Sequence, residues 1–183
     1  MERPPTSSPS TRACPSCRTR IRQLEHAIRA LSWDDTFGML TRQGLLHAAS
    51  VQPRGIRPVI FLDLDGIHTL NQQLGYEEVN RRIHATFQDA GLRHSDIIGR
   101  WYSGDEIVII TDGDPQAIID KLTHAARTHG ISFTYACTPW ESTNPLSIVI
   151  PELAARVTEL KRERNKVIGA MAVAEPFLRI DAA

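Results

Sequence analysis

The chain has 183 residues, of which 42% are hydrophobic and 23% charged, which suits one globular domain with a core of ordinary size. Its 21 basic residues equal its 21 acidic residues, so the net charge does not indicate a nucleic-acid or membrane partner. No apolar run approaches the roughly 20 residues that span a bilayer, and the N-terminus lacks the apolar stretch of a signal peptide. We therefore expect a cytosolic protein, in which the three cysteines are reduced.

Residues 1–18 are rich in Pro, Ser and Thr, and we expect a disordered arm. Residues 1–33 hold six Arg against two Glu, a charge that could dock on an acidic partner or simply be solvated. The arm contains a CxxC pair, Cys14 and Cys17, which is half of a four-cysteine zinc site. Two chains side by side could complete that site and share one Zn²⁺. A pair of free thiols is the plainer interpretation, and the third cysteine, Cys137, lies in a strand that we expect to be buried.

An amphipathic helix is predicted over 19–33. Ile21, Leu24, Ile28 and Leu31 recur at spacings of three and four, which forms one apolar stripe. The stripe could form a signalling or dimer helix with a second copy, or pack back on its own domain. Two heptads are short for an isolated coiled coil.

The remaining chain, 34–183, reads as one domain of mixed helices and strands. Helices are predicted over 41–50, 70–90 with a break near Gly75, 115–128 and 151–164. Strands are predicted over 57–64, 96–102, 106–111 and 131–138, with a further strand over 166–173. A sheet covered by helices, α+β in class, is the natural packing of this order.

Acidic residues cluster at the predicted sheet edge. Asp63 and Asp65 end the first strand and point to the same side, because side chains alternate along a strand. Two close carboxylates repel unless a cation sits between them. Asp105 and Glu106 lie at the tip of the hairpin, and hard oxygen ligands of this kind suit Mg²⁺ or Mn²⁺. The alternative is that these residues only form turns.

Six segments in order carry a recognisable pattern. They are DDTFGMLTR at 34–42, DLDGIHTLN at 63–71, LG at 74–75 with Asn80 beyond it, RWYSGDEI at 100–107, ISFTYA at 131–136 and KRERN at 161–165. Together they resemble the GGDEF family of diguanylate cyclases. The resemblance implies an α+β palm-type nucleotidyl-cyclase fold, with a central, mostly antiparallel sheet of about five strands flanked by helices.

The resemblance also implies a metal site. Asp63 and Asp105 would bind Mg²⁺ or Mn²⁺ with the Leu64 carbonyl as a third ligand, and Asp105 with Glu106 would form the catalytic acidic pair. In such enzymes two protomers face each other, each holding one GTP. Each 3′-hydroxyl attacks the other nucleotide's α-phosphate, pyrophosphate leaves, and cyclic di-GMP forms. A homodimer is therefore implied.

The remaining substrate contacts follow from the same resemblance. Asn71 and Asn80 would face the base, while His68, Lys161 and Arg164 would lie near the triphosphate. Arg93 and Asp96 have the R-x-x-D form of the family's product-inhibition site, although this pattern is also frequent in turns.

Several positions depart from the family pattern. Ser103 replaces the first glycine of the motif, one extra residue separates Arg100 from it, and Ile107 replaces the final Phe. His68 stands in place of a phosphate-facing Lys, Asn80 stands in place of a base-facing Asp, and the last basic motif is one residue short. The retained acids favour a metal-dependent nucleotidyl cyclase. The departures favour a degenerate domain that senses GTP or a cyclic dinucleotide.

Overall fold

The computed structural model describes residues 14–102 and 104–174, with side chains as far as residue 167. Within these residues the elements follow in the order α1 (Pro15–Ser32), β1 (Trp33–Asp34), β2 (Met39–Leu40), α2 (Arg42–Ser50), β3 (Ile56–Leu64), α3 (Ile67–Leu74), α4 (Tyr76–Asp89), β4 (Ile97–Arg100), β5 (Glu106–Ile110), α5 (Pro115–His129), β6 (Phe133–Glu141) and α6 (Leu146–Ala174). No helix in this part of the chain is both long enough and apolar enough to cross a membrane.

The strands form one sheet in the order β1-β2-β4-β5-β3-β6. All neighbouring strands are antiparallel except β2 and β4, which are parallel. The predicted α+β class and mostly antiparallel sheet are confirmed. The described residues form six strands rather than about five, because the sheet includes the short strands β1 and β2, which have two residues each.

The sheet is covered by helices on both faces. Ile60, Leu62 and Leu64 of β3 belong to a buried cluster that includes side chains from α4 and α5. Val59 and Phe61 belong to a second cluster with side chains from α2 and α6. Because β3 is buried on both faces, its sequence is a continuous apolar run rather than an alternating one.

Two expectations about the strands are wrong. Residues 166–173 continue α6 instead of forming a strand, since extending an existing helix needs no new nucleation. Cys137 is exposed rather than buried, because β6 is at the edge of the sheet. The predicted break near Gly75 is confirmed: α3 ends and α4 begins there, and its φ of 83° is one that glycine adopts readily.

Helix α1 begins earlier than predicted. The Cys14 side chain accepts a hydrogen bond from the Cys17 amide at 3.3 Å, and Pro15 occupies the first helical turn, where its missing N–H costs nothing. Residues 15–18 are therefore helical and do not belong to a disordered arm. The rest of that predicted arm, residues 1–13, lies outside the described residues.

The C-terminal end of α1 is tied to the domain by backbone contacts. The Thr41 amide donates to the Ser32 carbonyl at 2.9 Å, and the Thr41 hydroxyl donates to the Leu31 carbonyl at 2.8 Å. Gly44 of α2 packs so closely that a Cβ atom there would overlap the Ser32 carbonyl oxygen. Helix α1 therefore leaves the domain from a tightly packed joint.

We predict that Gly44→Ala lowers the free energy of unfolding by about 1–3 kcal/mol, because the added methyl group overlaps backbone that cannot yield cheaply. The loss should appear although alanine favours a helix over glycine by roughly 1 kcal/mol. Urea denaturation followed by circular dichroism measures it. Gly55→Ala is the matched control, because a Cβ atom there meets nothing within 4 Å. Equal stability of the two variants would contradict the proposed joint.

Candidate functional site

Carboxylates gather where β3 ends and β5 begins. Antiparallel pairing places Asp63 opposite Glu106 of β5 and Thr134 of β6. The Leu64 amide donates to the Asp105 carbonyl at 3.1 Å, so the hairpin tip lies against the end of β3. We call Asp63, Asp65, Asp105 and Glu106 the acidic edge. Ser103, the altered glycine of the motif, lies outside the described residues.

One lysine of α6 bridges two of these carboxylates. The Lys161 ammonium lies 2.7 Å from Asp63 Oδ1, 3.1 Å from Asp65 Oδ1 and 3.5 Å from the Leu64 carbonyl oxygen. Asp63 continues the β3 face that carries Phe61, and α6 packs on that face. The cation that two close carboxylates require is thus supplied by the protein itself. The resemblance assigns Lys161 to the triphosphate, and its pairing with Asp63 is a contact that sequence reasoning missed.

A second cation from the same helix completes the pairing. Arg164 Nη1 donates to Asp65 Oδ2 at 2.7 Å and to the Thr134 hydroxyl at 2.9 Å. Lys161 and Arg164 are three residues apart, so they lie on the same side of α6. The shortened basic motif therefore brings both cations to the acidic edge.

Two carboxyl groups of the acidic edge, Asp63 and Glu106, have raised pKa values, chiefly because they are buried. Burial raises the pKa of Asp63, and repulsion from Asp105 and Asp65 adds to burial so that the Lys161 ion pair does not outweigh it. Burial raises the pKa of Glu106 as well, with the Asp105 and Asp63 charges adding to the effect. Burial lowers the pKa of Lys161, but its two carboxylate partners outweigh this and hold the pKa above its ordinary value.

Asp65 differs from its neighbours. Burial would raise its pKa, but hydrogen bonds from Arg164, Lys161 and Thr134 hold the pKa below its ordinary value. The two cations therefore outweigh burial at Asp65, whereas at Asp63 and Glu106 burial outweighs the neighbouring cations. An added cation near those two carboxylates would relieve the repulsion.

The structure does not assemble the predicted metal ligands into a metal-binding group. Among residues 14–102 and 104–167, no three side chains of the Asp, Glu, His or Cys type are arranged to hold a metal ion. Lys161 contacts two of the three predicted ligands, Asp63 and the Leu64 carbonyl. Metal binding by Asp63, Leu64 and Asp105 stays a prediction, and it requires the Lys161 ammonium to move away.

The residues predicted to contact the base lie on α3 and α4. Asn71 Oδ1 is buried and has no hydrogen-bond partner among the described residues. A buried acceptor left unpaired costs about 1–3 kcal/mol. Asn80 is half-buried on α4, and His68 is exposed, with its Nε2 3.1 Å from the Gln72 amide nitrogen.

An ion pair holds the hairpin tip in place. Arg100 Nη1 donates to Asp34 Oδ2 at 2.5 Å, and Arg100 Nη2 donates to the Gly104 carbonyl at 2.8 Å. The Arg100 guanidinium also stacks 4.3 Å from the centroid of the Phe37 ring. Asp34 and Arg100 both lie in the motif segments, but they are 66 residues apart, so the sequence alone does not indicate that they pair.

Comparison with solved structures decides the fold. Diguanylate cyclase SiaD from Pseudomonas aeruginosa, solved with its activator SiaC, matches with a TM-score of 0.61 and 19% identity over 80% of this chain and 64% of that one. The coiled coil and GGDEF domain of DgcB from Caulobacter crescentus, in complex with c-di-GMP, matches with a TM-score of 0.62 and 15% identity over 80% and 89%. A microbial GGDEF domain that interacts with cyclic di-GMP matches with a TM-score of 0.60 and 19% identity over 73% and 94%.

The chain has the GGDEF-domain fold. The fold implied by the six segments is thereby confirmed, and the similarity lies in structure. No protein-family model matches the chain, and no curated protein matches its sequence. The chain spans 64% of the length of the SiaD chain that it matches.

The R-x-x-D pair of this GGDEF fold is built into a turn. Asp96 Oδ2 accepts from the Arg93 amide at 2.8 Å, and Asp96 Oδ1 accepts from the Thr111 hydroxyl at 2.6 Å. Both residues of the pair line a cleft of about 460 Å³ with Met39 and Phe87 among its walls. The Asp96 carboxylate thus has a structural role, and the product-inhibition role of the pair stays a prediction.

We predict that Asp34→Asn lowers the free energy of unfolding at pH 7 by about 1–3 kcal/mol, because the charge-assisted bond to Arg100 is lost in a half-buried site. Burial raises the pKa of Asp34, but the Arg100 interaction outweighs it and lowers the pKa. The stabilisation is therefore present above the unfolded pKa of about 3.9 and is lost as the pH falls through the folded pKa.

Urea denaturation at pH 7 and at progressively lower pH measures this difference. Asp35→Asn is the control, because Asp35 is the exposed neighbour of the same residue type. A stability gap for Asp34→Asn that stays constant down to about pH 2 would show that charge is not the cause.

Proposed function

We propose that the chain binds a nucleoside triphosphate, most favourably GTP, together with a divalent cation at the acidic edge. The observation that carries this proposal is the convergence of the acidic edge, where β3 meets the hairpin tip, with two cations of α6, Lys161 and Arg164. Such a site offers hard oxygen ligands to a cation and positive charge to phosphates. A nucleoside-triphosphate substrate would place the activity in the cytosol.

The acidic edge would fit Mg²⁺ or Mn²⁺ once the Lys161 ammonium has moved from Asp63 and the Leu64 carbonyl to the triphosphate. Asp63, the Leu64 carbonyl and Asp105 would hold the ion, which keeps further positions for phosphate oxygens. When bound, the ion would neutralise charge on the triphosphate. The displaced Lys161 ammonium would pair with the same triphosphate, and Arg164 would remain on Asp65 or follow it. The negative charge of the carboxylates would stay balanced, because the metal ion would bind them as the Lys161 ammonium leaves.

The nucleotide base would lie against α3 and α4. The unpaired Asn71 Oδ1 supports this placement, because the N1–H and N2–H₂ groups of guanine are donors suited to it. His68 is a weaker phosphate partner than lysine, because its imidazole is largely neutral at pH 7. Phosphate contacts would therefore depend on Lys161 and Arg164.

We infer further that two such domains facing each other condense two GTP molecules into cyclic di-GMP. Each 3′-hydroxyl would lose its proton to solvent and attack the α-phosphate held by the other protomer. A new phosphodiester bond would form as the bond from the α-phosphorus to the bridging oxygen breaks, and pyrophosphate would leave with the electrons of that bond. The chain's own contribution would be to position the phosphates and compensate their charge.

A second candidate is a domain that senses GTP or a cyclic dinucleotide without catalysis. The ion pair of Lys161 with Asp63 and its contact with the Leu64 carbonyl favour it, because Lys161 already contacts two of the three predicted metal ligands. Incubating the purified chain with each nucleoside triphosphate and Mg²⁺ or Mn²⁺, followed by mass spectrometry of the products, separates the two. A cyclic dinucleotide supports the cyclase, whereas tight nucleotide binding without product supports the sensor.

We predict that Asp105→Asn weakens Mg²⁺-dependent GTP binding by a factor on the order of 10 or more, because a charged metal ligand is lost. Isothermal titration calorimetry with and without Mg²⁺ measures it. Asp120→Asn is the control, an exposed carboxylate on α5. Unchanged affinity of folded Asp105→Asn would remove Asp105 from the site.

We predict that Asn80→Asp raises the preference for GTP over ATP by roughly 5- to 150-fold. The aspartate carboxylate can accept from both the N1–H and the N2–H₂ group of guanine. The asparagine side chain has one acceptor oxygen and one NH₂ donor, so its NH₂ group would face one of the guanine donors. Binding of GTP and ATP is compared side by side in both proteins. Asn144→Asp, a change at an exposed asparagine elsewhere, controls for the added charge. A strong GTP preference in the native chain that Asn80→Asp leaves unaltered would mean that Asn80 does not face the base.

A further inference from the structure

Helix α1 exposes an apolar stripe that its own domain does not cover. None of its side chains is buried, and Ile21, Leu24, Ile28 and Leu31 are between 47% and 74% exposed. The four residues follow the a and d positions of a heptad repeat, with Ile at each a position and Leu at each d position. That choice favours two parallel strands over higher oligomers.

The cysteine pair continues the same repeat. Cys14 lies seven residues before Ile21 and Cys17 lies seven before Leu24, so the thiols occupy the preceding a and d positions. The two Sγ atoms are 2.8 Å apart, and both side chains are exposed. In a parallel pair of α1 helices, the two CxxC pairs would meet at the N-terminal end of the shared seam.

We propose that two copies of this chain pair through α1 in parallel and hold one Zn²⁺ between them, with Cys14 and Cys17 of each copy as the four ligands. One copy supplies two ligands, so the site is incomplete without the second. This inference is independent of nucleotide binding, which uses different residues at the acidic edge of the sheet.

Charge patterning supports the parallel arrangement of the two copies. Arg20 falls at a g position and Glu25 at the e position five residues later. In a parallel pair, position g of one helix faces this e position of the other. Arg20 of each copy would therefore face Glu25 of the other, twice by symmetry. The next g and e positions, at Ala27 and Ser32, carry no charge that would oppose pairing.

The chemistry of the four thiols suits Zn²⁺. Four thiols release four protons to form a tetrahedral tetrathiolate complex with a net charge of about −2. The first turn of α1 contains no acidic residue, and Arg18, Arg20 and Arg22 follow closely. The positive ends of two helix dipoles would also point at the ion.

Local geometry already favours metal binding by these thiols. Bonds of about 2.3 Å from Zn²⁺ to sulfur separate tetrahedral ligands by about 3.8 Å, which the pair reaches by opening about 1 Å. Soft thiolates select Zn²⁺ over the hard cations expected at the acidic edge.

The full chain, purified without chelator and kept reduced with a phosphine, tests the proposal. Elemental analysis should give one zinc per two chains, and light scattering should give a dimer. Titration with Co²⁺ should give the visible spectrum of tetrahedral thiolate coordination. Cys14→Ser should lose the metal, and Leu24→Glu should lose both the metal and the α1 pairing, although its thiols are intact. Cys137→Ser, which changes the third exposed thiol, should behave like the native chain.

Three results would overturn the proposal: no zinc in the native protein, one zinc per single chain, or undiminished zinc in Leu24→Glu. Circular dichroism confirms folding of each variant, since Leu24 and both thiols are exposed and contribute nothing to the domain core. GTP binding measured in Cys14→Ser keeps the two proposals apart. Retained GTP binding with lost zinc in Cys14→Ser supports the metal site, and undiminished zinc in this variant would remove Cys14 from it. A native chain that holds zinc but binds no GTP would contradict only the proposed function.

Discussion

Strand β3 is hydrogen-bonded along both edges, to β5 and β6, and the position of every carboxylate at the acidic edge depends on that double pairing. A slip of one residue would turn Asp63 toward the face that Leu62 and Leu64 occupy, burying a charge and exposing leucine. Apolar packing on both faces of the sheet opposes such a slip. The register therefore fixes which strand ends bring oxygen atoms together, and the helices supply the cations that meet them.

Lys161 gives this arrangement an internal counter-ion. With its ammonium between Asp63 and Asp65, the folded chain has no need of an external cation to keep its carboxylates together. A ligand at this edge consequently competes with a protein group that is already well placed. Affinity at such a site reflects a difference between two ion pairs, and the energetic gain of the new contacts is reduced by the contacts they replace.

Much of the fold and part of the site follow from sequence. The buried strand, the break at Gly75 and the carboxylates at the strand ends were predictable because each depends on neighbouring residues alone. The pairing of Arg100 with Asp34 and of Lys161 with Asp63 was not, since long-range partners depend on how helices pack on the sheet. The early start of α1 was missed because a cysteine is a rare helix cap, and residues 166–173 were misread because β-propensity yields to a helix already formed.

The joint between α1 and the domain has a mechanical consequence. Helix α1 has 18 residues and is about 27 Å long, and the carbonyl of its last residue, Ser32, packs closely against Gly44 of α2. A rotation of α1 would therefore disturb its contact with α2. A register change of a single residue turns a helix by about 100° about its axis. In a dimer paired through α1, such a rotation of the two helices would move the acidic edges of the two sheets toward or away from each other.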